Sequence, residues 1–310
     1  MDRSLLELAR VKPGSHGYHA RMDARPATDA TPHAFADPVA GLETGLLLHR
    51  SRHADTVLAT WMGRQVVAKR VREDIAGADE RRAASDSILR EGLLLRRVDH
   101  SSVVRVVELV RDPAALVLEL VPGRSMREEL RIRRRLPAAE AAMVGAQLAE
   151  ALQHLHRRWI LHRDVKPANI VYDGVRAVLI DFHLARQPGP MRGGAGTRLF
   201  AAPEQVLGGH VTPAADVWGL GTVLYRAVTG RLPFHADSGH PQLNERAVPA
   251  LQRLADSRFS GDLRRAERDL PRSLAAMVDS MLEHDPTRRP SADDVAWQLR
   301  ALAGGDDAAA

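Results

Sequence analysis

LHRDVKPANI, residues 161–170, is the stretch on which the reading of this chain turns. It sets an acid at Asp164, a cation two residues later at Lys166 and an amide three residues after that at Asn169, with apolar residues at both ends. Only three of the 44 Lys and Arg residues are lysine, namely Lys12, Lys69 and Lys166, and the other 41 are arginine. A chain that so seldom uses lysine gives weight to the places where it does. An ammonium on a flexible stem can grip one oxygen in a tight space where the wide planar guanidinium cannot.

The chain has 310 residues, 45% hydrophobic and 27% charged, the composition of a globular protein long enough for one large domain or two smaller ones. It contains no cysteine, which excludes disulfide frameworks and thiolate metal sites. No window of eighteen uninterrupted apolar residues and no secretion signal is found, so a cytoplasmic protein without a membrane partner is expected. Net charge is +5. The basic runs RIRRR (131–135), Arg96-Arg97 and Arg264-Arg265 stand among acids and read as solvated faces, so no nucleic-acid partner is expected.

Residues 1–41 read as an extension: a short amphipathic helix, SLLELARV (4–11), and then an irregular stretch rich in Pro, Gly, Ala, His and Asp. From Leu42 the pattern turns to strands: GLLLH (45–49), TVLATWM (56–62) and, across a tight Gly63-Arg64 connection, QVVAKRV (65–71). A helix is expected over 78–97 with Ile88, Leu89 and Leu93 on one face, followed by strands VVRVVELV and ALVLELV (115–121). The remainder reads as mainly helical: 137–158 starting at a proline, the apolar stretch 214–230 ending in Gly230, SLAAMVDSMLEHD, and SADDVAWQLRALA capped by Ser291. Two short strands, NIVYD and AVLID, bracket a turn, and residues 304–310 form a tail expected to be disordered.

Phosphoryl transfer asks little covalent chemistry of a protein. It needs metal ions bridging phosphates, a cation on the phosphates and an acid that orients the attacking hydroxyl. Asp164 can accept the hydroxyl proton, Lys166 can neutralise the transferring group, and Asn169 can offer a neutral oxygen to Mg²⁺. Asp181, closing AVLID, can supply the charged oxygen that Mg²⁺ prefers, and Lys69 can hold the other phosphates.

These residues resemble the protein-kinase signature, in the form found in bacterial Ser/Thr kinases of eukaryotic type (Hanks-type), over roughly residues 42–303. HRDVKPAN is similar to the catalytic loop, and Lys166 is the form of Ser/Thr rather than Tyr kinases. DFHLA (181–185), AAPEQ (201–205), DVWGLG (216–221) and DPTRRP follow in the family's order. The resemblance implies an α+β, two-lobed fold: an N-lobe of 42–120 with a small antiparallel sheet and one helix, and a mainly helical C-lobe of 121–303, with Mg-ATP in the cleft. It implies that Glu91 pairs with Lys69. It places Leu118 as the gatekeeper, Glu119 to Val121 as the hinge, and Val57, Ala68 and Val171 around adenine. Thr197 would bridge Asp164 and Lys166, Asp216 would brace the catalytic loop, and Glu204 would pair with Arg289. The implied cofactors are ATP and Mg²⁺ or Mn²⁺, and the implied partner is a protein bearing Ser or Thr.

Two departures stand out. The family's phosphate-covering loop, G-x-G-x-x-G-x-V, aligned on Val57, finds Arg50, Arg52 and Asp55 at the three glycine positions. Arg50 and Arg52 could replace backbone amides with side-chain charge, whereas Asp55 would repel phosphate unless turned away. His183 replaces the glycine after Asp181 and Phe182. The alternative to an active kinase is therefore a pseudokinase that binds nucleotide or acts as a scaffold. A small-molecule phosphotransferase would not be expected to carry AAPEQ and the Glu204–Arg289 pairing. Thr197 is the one hydroxyl residue between Phe182 and Pro203. Activation by loop phosphorylation is therefore not expected, which leaves control to a regulatory partner protein or to residues 1–41.

Overall fold

The computed structural model describes residues 39–193, 196, 197, 199–233 and 270–304. The expectations for 1–38, including the helix at 4–11, for Arg264-Arg265 and for 305–310 lie outside the described residues. The described residues form two compact units, one of 39–97 together with 105–120, the other of 98–104 together with the described residues from 121 to 304.

The first unit is a five-stranded antiparallel sheet with one helix. Its strands are β1 (Leu42–Arg50), β2 (Ala54–Trp61), β3 (Arg64–Val71), β4 (Val106–Arg111) and β5 (Ala114–Glu119), in the order β1-β2-β3-β5-β4. The β-branched alternation of β2 and β3 turns Val57, Ala59, Val66 and Ala68 into a core with Leu42, Ala115 and Val117. The hairpin between β2 and β3 differs by one residue from the expected connection. Trp61 pairs with Arg64, so Met62 and Gly63 make the turn, both with positive φ (47° and 78°). That backbone matches the right-handed twist of the strands.

Helix α1 (Ala78–Leu95) lies against β3, β4 and β5. Its buried face is Ala84, Ile88, Glu91, Gly92 and Leu95, whereas Leu93, expected inside, is exposed. Glu91 displaces the leucine from the buried face because it has a buried cation to meet. Gly92 stands where a Cβ would come within 2.4 Å of the Leu109 side chain, so no leucine fits at that neighbouring position either.

The second unit is mainly helical. Helix α2 (Met126–Arg133) is capped by the Ser125 hydroxyl, which accepts from the Glu128 N–H. It carries the basic run as a solvated face, with Arg131 paired to Glu128, and Arg133 to Glu129 and Glu140. Helices α3 (Ala138–His156), α4 (Pro203–Leu207), α5 (Ala214–Thr229), α6 (Arg272–Met281) and α7 (Ala292–Ala303) follow. The long apolar helix α5 packs on α3 and α6 and ends at Gly230 in the left-handed conformation. Three short strands, β6 (Arg124–Ser125), β7 (Ile170–Tyr172) and β8 (Ala177–Leu179), form a sheet in that order, and β9 (Gly189–Met191) pairs with β10 (Gly209–Val211). Residues 98–104 join this unit through Leu179, whose N–H donates to Ser102 O and whose carbonyl accepts from the Val104 N–H. Among the described residues, no helix is long and apolar enough to cross a membrane.

Candidate active site

The loop at 161–170 is shaped from beneath by helix α5. Asp216, in the first turn of that helix and wholly buried, accepts from the backbone N–H of His162 (2.9 Å) and of Arg163 (2.7 Å), and from His156 Nε2 (2.9 Å). Burial, the largest influence on its carboxyl, opposes ionisation. The hydrogen bond from His156, the nearby imidazoles of His156 and His162, and the Arg163 N–H together outweigh it and hold the carboxyl below its ordinary value. Gly219, on the same helix, lets the loop sit close, since a Cβ there would stand 2.9 Å from both the Val165 carbonyl oxygen and its Cβ.

Arg163 adopts φ = 64°, a left-handed conformation that costs a non-glycine residue roughly 1–2 kcal/mol. Both of its backbone groups are therefore anchored: the N–H by Asp216, the carbonyl by the Gln205 side-chain amide at 2.9 Å. Gln205 in turn accepts from the Ala202 N–H, tying the loop to the start of α4. Gln205 closes the AAPEQ stretch, but its place there does not announce this task. Its buried amide between two backbone groups leaves no periodic signal in the chain. The Arg163 guanidinium donates to Gln187 O at 2.5 Å, and burial lowers its pKa. His162 is fully buried. Its Nδ1 accepts from the Asp164 N–H at 3.3 Å, which assigns the proton to Nε2, facing Ile180 O at 3.2 Å.

Above this base, three side chains converge on the Asp164 carboxylate. Lys166 Nζ lies 2.6 Å from Asp164 Oδ2 and donates to Thr197 Oγ1 at 2.6 Å. Thr197 Oγ1 donates to Asp164 Oδ1 at 2.7 Å. Asn169 Nδ2 donates to Asp164 Oδ2 at 2.9 Å and to its backbone carbonyl at 3.0 Å. With Nδ2 so engaged, the Asn169 amide has its carbonyl oxygen to offer a cation. The Asn169 backbone carbonyl accepts from the Ile180 N–H at 2.9 Å, which brings the segment ending in Asp181 alongside. Asp181, with φ = 64°, has its Oδ1 2.9 Å from Nδ1 of His183. An amide oxygen and a carboxylate are a donor set suited to a hard divalent cation.

Further out, Glu204 of α4 and Arg289 make a bidentate pair, Nη1 to Oε1 at 2.7 Å and Nη2 to Oε2 at 2.9 Å. Arg289 also donates to the carbonyls of Glu283, Ala214 and His284, so its five N–H groups meet five acceptors, and it lies 4.8 Å over the Trp218 ring.

The first unit holds most of the other expected residues. Lys69 on β3 reaches Glu91 of α1 at 2.6 Å with both side chains buried. Val57 and Ala68 are cross-strand partners and Leu118 is buried on β5, while Val121 and Val171, on β7, belong to the second unit. Glu119 closes β5, where its N–H donates to Arg105 O. The turn between β1 and β2 pairs Arg50 with Asp55, while Arg52 lies 3.8 Å from Glu80 of α1. Arg50 grips buried Asp55 through two hydrogen bonds of 2.8 Å, and Arg72 donates to the carbonyls of Ser51 (3.0 Å) and Arg52 (3.2 Å). Asp55 is thus neutralised within the turn, and Arg50 is committed to it rather than left for a phosphate.

Residues 54–298 match the protein kinase domain family. Among curated proteins, the chain is 33% identical to the serine/threonine-protein kinase PkaA of Streptomyces coelicolor, over 81% of this chain and 46% of that protein. It is 34% identical to the serine/threonine-protein kinase pkn2 of Myxococcus xanthus, over 77% of this chain and 29% of that protein. It is 35% identical to the probable serine/threonine-protein kinase PkwA of Thermomonospora curvata, over 79% of this chain and 32% of that protein. The chain therefore spans less than half the length of these relatives.

Proposed function

This chain belongs to the protein kinase family, and from that premise we propose that it transfers the γ-phosphoryl group of ATP to a Ser or Thr hydroxyl of another protein. The observation that carries the reading is the single Asp164 carboxylate held by Lys166, Asn169 and Thr197 at 2.6–2.9 Å. A carboxylate so fixed can orient an incoming hydroxyl and take its proton as the oxygen–phosphorus bond forms and the bond to the β-phosphate oxygen breaks, releasing ADP. Lys166, beside it, offsets charge on the transferring group. Lys69, oriented by Glu91, is assigned to the remaining phosphates, and Val57, Ala68, Leu118, Glu119, Val121 and Val171 to the adenine. Family membership brings a divalent metal with ATP. Asn169 and Asp181 are the residues that would hold it, and when bound it would neutralise phosphate charge.

Thr197 hydrogen-bonds to both Asp164 and Lys166, so a phosphate on it would remove the network that positions the base. We therefore read this enzyme as one not activated by phosphorylation within 182–203, with a partner protein or residues 1–41 as the source of control. The test is phosphorylation of a Ser/Thr/Tyr peptide library with Mg-ATP, beside Asp164→Asn. Label on Ser or Thr, absent in the variant, supports the proposal. Label on Tyr, or label undiminished in the variant, overturns it.

A further inference from the structure

We propose that His183 is a nitrogen ligand to the cation held by Asp181, and that it shifts this site from Mg²⁺ toward a first-row transition cation such as Mn²⁺. The inference rests on the assignment of Asp181 and Asn169 to a divalent metal. His183 Nδ1 and Asp181 Oδ1 stand 2.9 Å apart on residues two apart in the chain. Two adjacent donors on an octahedron with bonds of about 2.1 Å are separated by about 3.0 Å, so the pair is already spaced as one edge of a coordination sphere. Asn169 adds a carbonyl oxygen from the turn that leads into β7, tied in by its backbone bond from Ile180. Mg²⁺ strongly prefers oxygen, whereas first-row divalent cations accept imidazole readily. A glycine at this position, which the family's pattern would supply, offers no side-chain donor. The imidazole, about half exposed, can meet a cation without being drawn out of a core.

The full chain is mixed with Mn²⁺ and the β,γ-methylene analogue of ATP, whose triphosphate bridges carry no nitrogen. Electron spin-echo envelope modulation then reads whether a ¹⁴N nucleus is bound to the manganese. The wild type is expected to show ¹⁴N coupling, and both His183→Gly and His183→Gln to lose it, while melting curves confirm that the variants are folded. In parallel, Mn²⁺ affinity should fall about tenfold in each variant, with Mg²⁺ affinity, measured by displacement of Mn²⁺, changing less than about twofold. A wild type with no ¹⁴N coupling overturns the proposal. So does an equal loss for both cations, which would mean that His183 merely hydrogen-bonds Asp181. Coupling in a protein that transfers no phosphate would break the functional reading and leave this one standing. Transfer without coupling would break this one alone.

Discussion

The loop at 161–170 and the turn between β1 and β2 each fix the path of a backbone, in opposite ways. The loop is held from inside. Buried Asp216 and Gln205 take the backbone groups around a left-handed Arg163, and the Asp164 carboxylate receives three side-chain donors. The turn is held from outside. Arg50 and Arg72 stand toward solvent and staple Asp55 and two carbonyls, with the Ser51 hydroxyl accepting from the Ala54 N–H. Where atoms must touch the reacting groups, only certain residue types serve. Where only the path of the backbone matters, several side-chain devices can stand in for glycine.

That contrast predicts a ladder of effects. Asp164→Asn keeps the shape of the carboxylate and removes the base, so transfer should fall by about 10²–10⁴-fold in an ATP-dependent assay. A drop below tenfold would mean the loop's network is structural only. Arg289→Ala removes the buried partner of the partly buried Glu204 and strands three carbonyls, and should lower unfolding free energy by about 3–5 kcal/mol in urea titrations. Gly219→Ala forces a Cβ to within 2.9 Å of Val165. An overpacking cost of about 1–3 kcal/mol is expected, together with a fall in kcat larger than any rise in KM for ATP, because Val165 follows the base.

The pH dependence runs through Asp216. Its pKa is lowered on folding, so its contribution is present above the ordinary carboxylate value and is lost as pH falls through the lowered one. The stability gap between wild type and Asp216→Asn should therefore be flat near neutral pH and shrink below about pH 4. A gap that widens with acid would contradict the assignment. At the bottom of the ladder, Arg50→Thr combined with Asp55→Thr removes both charges of the staple. It should move Tm by no more than about 2 °C. A larger fall would place the turn on a level with the buried network and erase the contrast.

What could be read from the chain follows the same division. Asp164, Lys166 and Asn169 were legible because phosphoryl transfer calls for those groups at those spacings, Thr197 was legible only through the family resemblance, and the structure brings all four together. Helix α5 and its glycine cap were legible from an apolar run ending in Gly230. Leu93 was placed on the wrong face, since apolar period alone does not register that Glu91 is buried against Lys69. The tie from Gln205 to Arg163 O joins residues 42 apart in the chain through a side chain and a backbone carbonyl, and a single sequence does not record such a bond. The short pair β9–β10 depends likewise on partners far apart in the chain. The staple between Arg50 and Asp55 could have been found, because opposite charges at facing positions of two strands attract, but it needed the hairpin register first.

The most direct measurement is intact-mass spectrometry of a generic protein substrate, and of the chain itself, after incubation with Mg-ATP beside the Asp164→Asn variant. Mass gained in steps of one phosphate, absent in the variant, is the predicted result, and would show that a glycine-free, arginine-stapled turn supports transfer. No added mass on substrate or chain, together with no binding of Mg-ATP by calorimetry, would contradict the account and leave a kinase fold that serves as a scaffold.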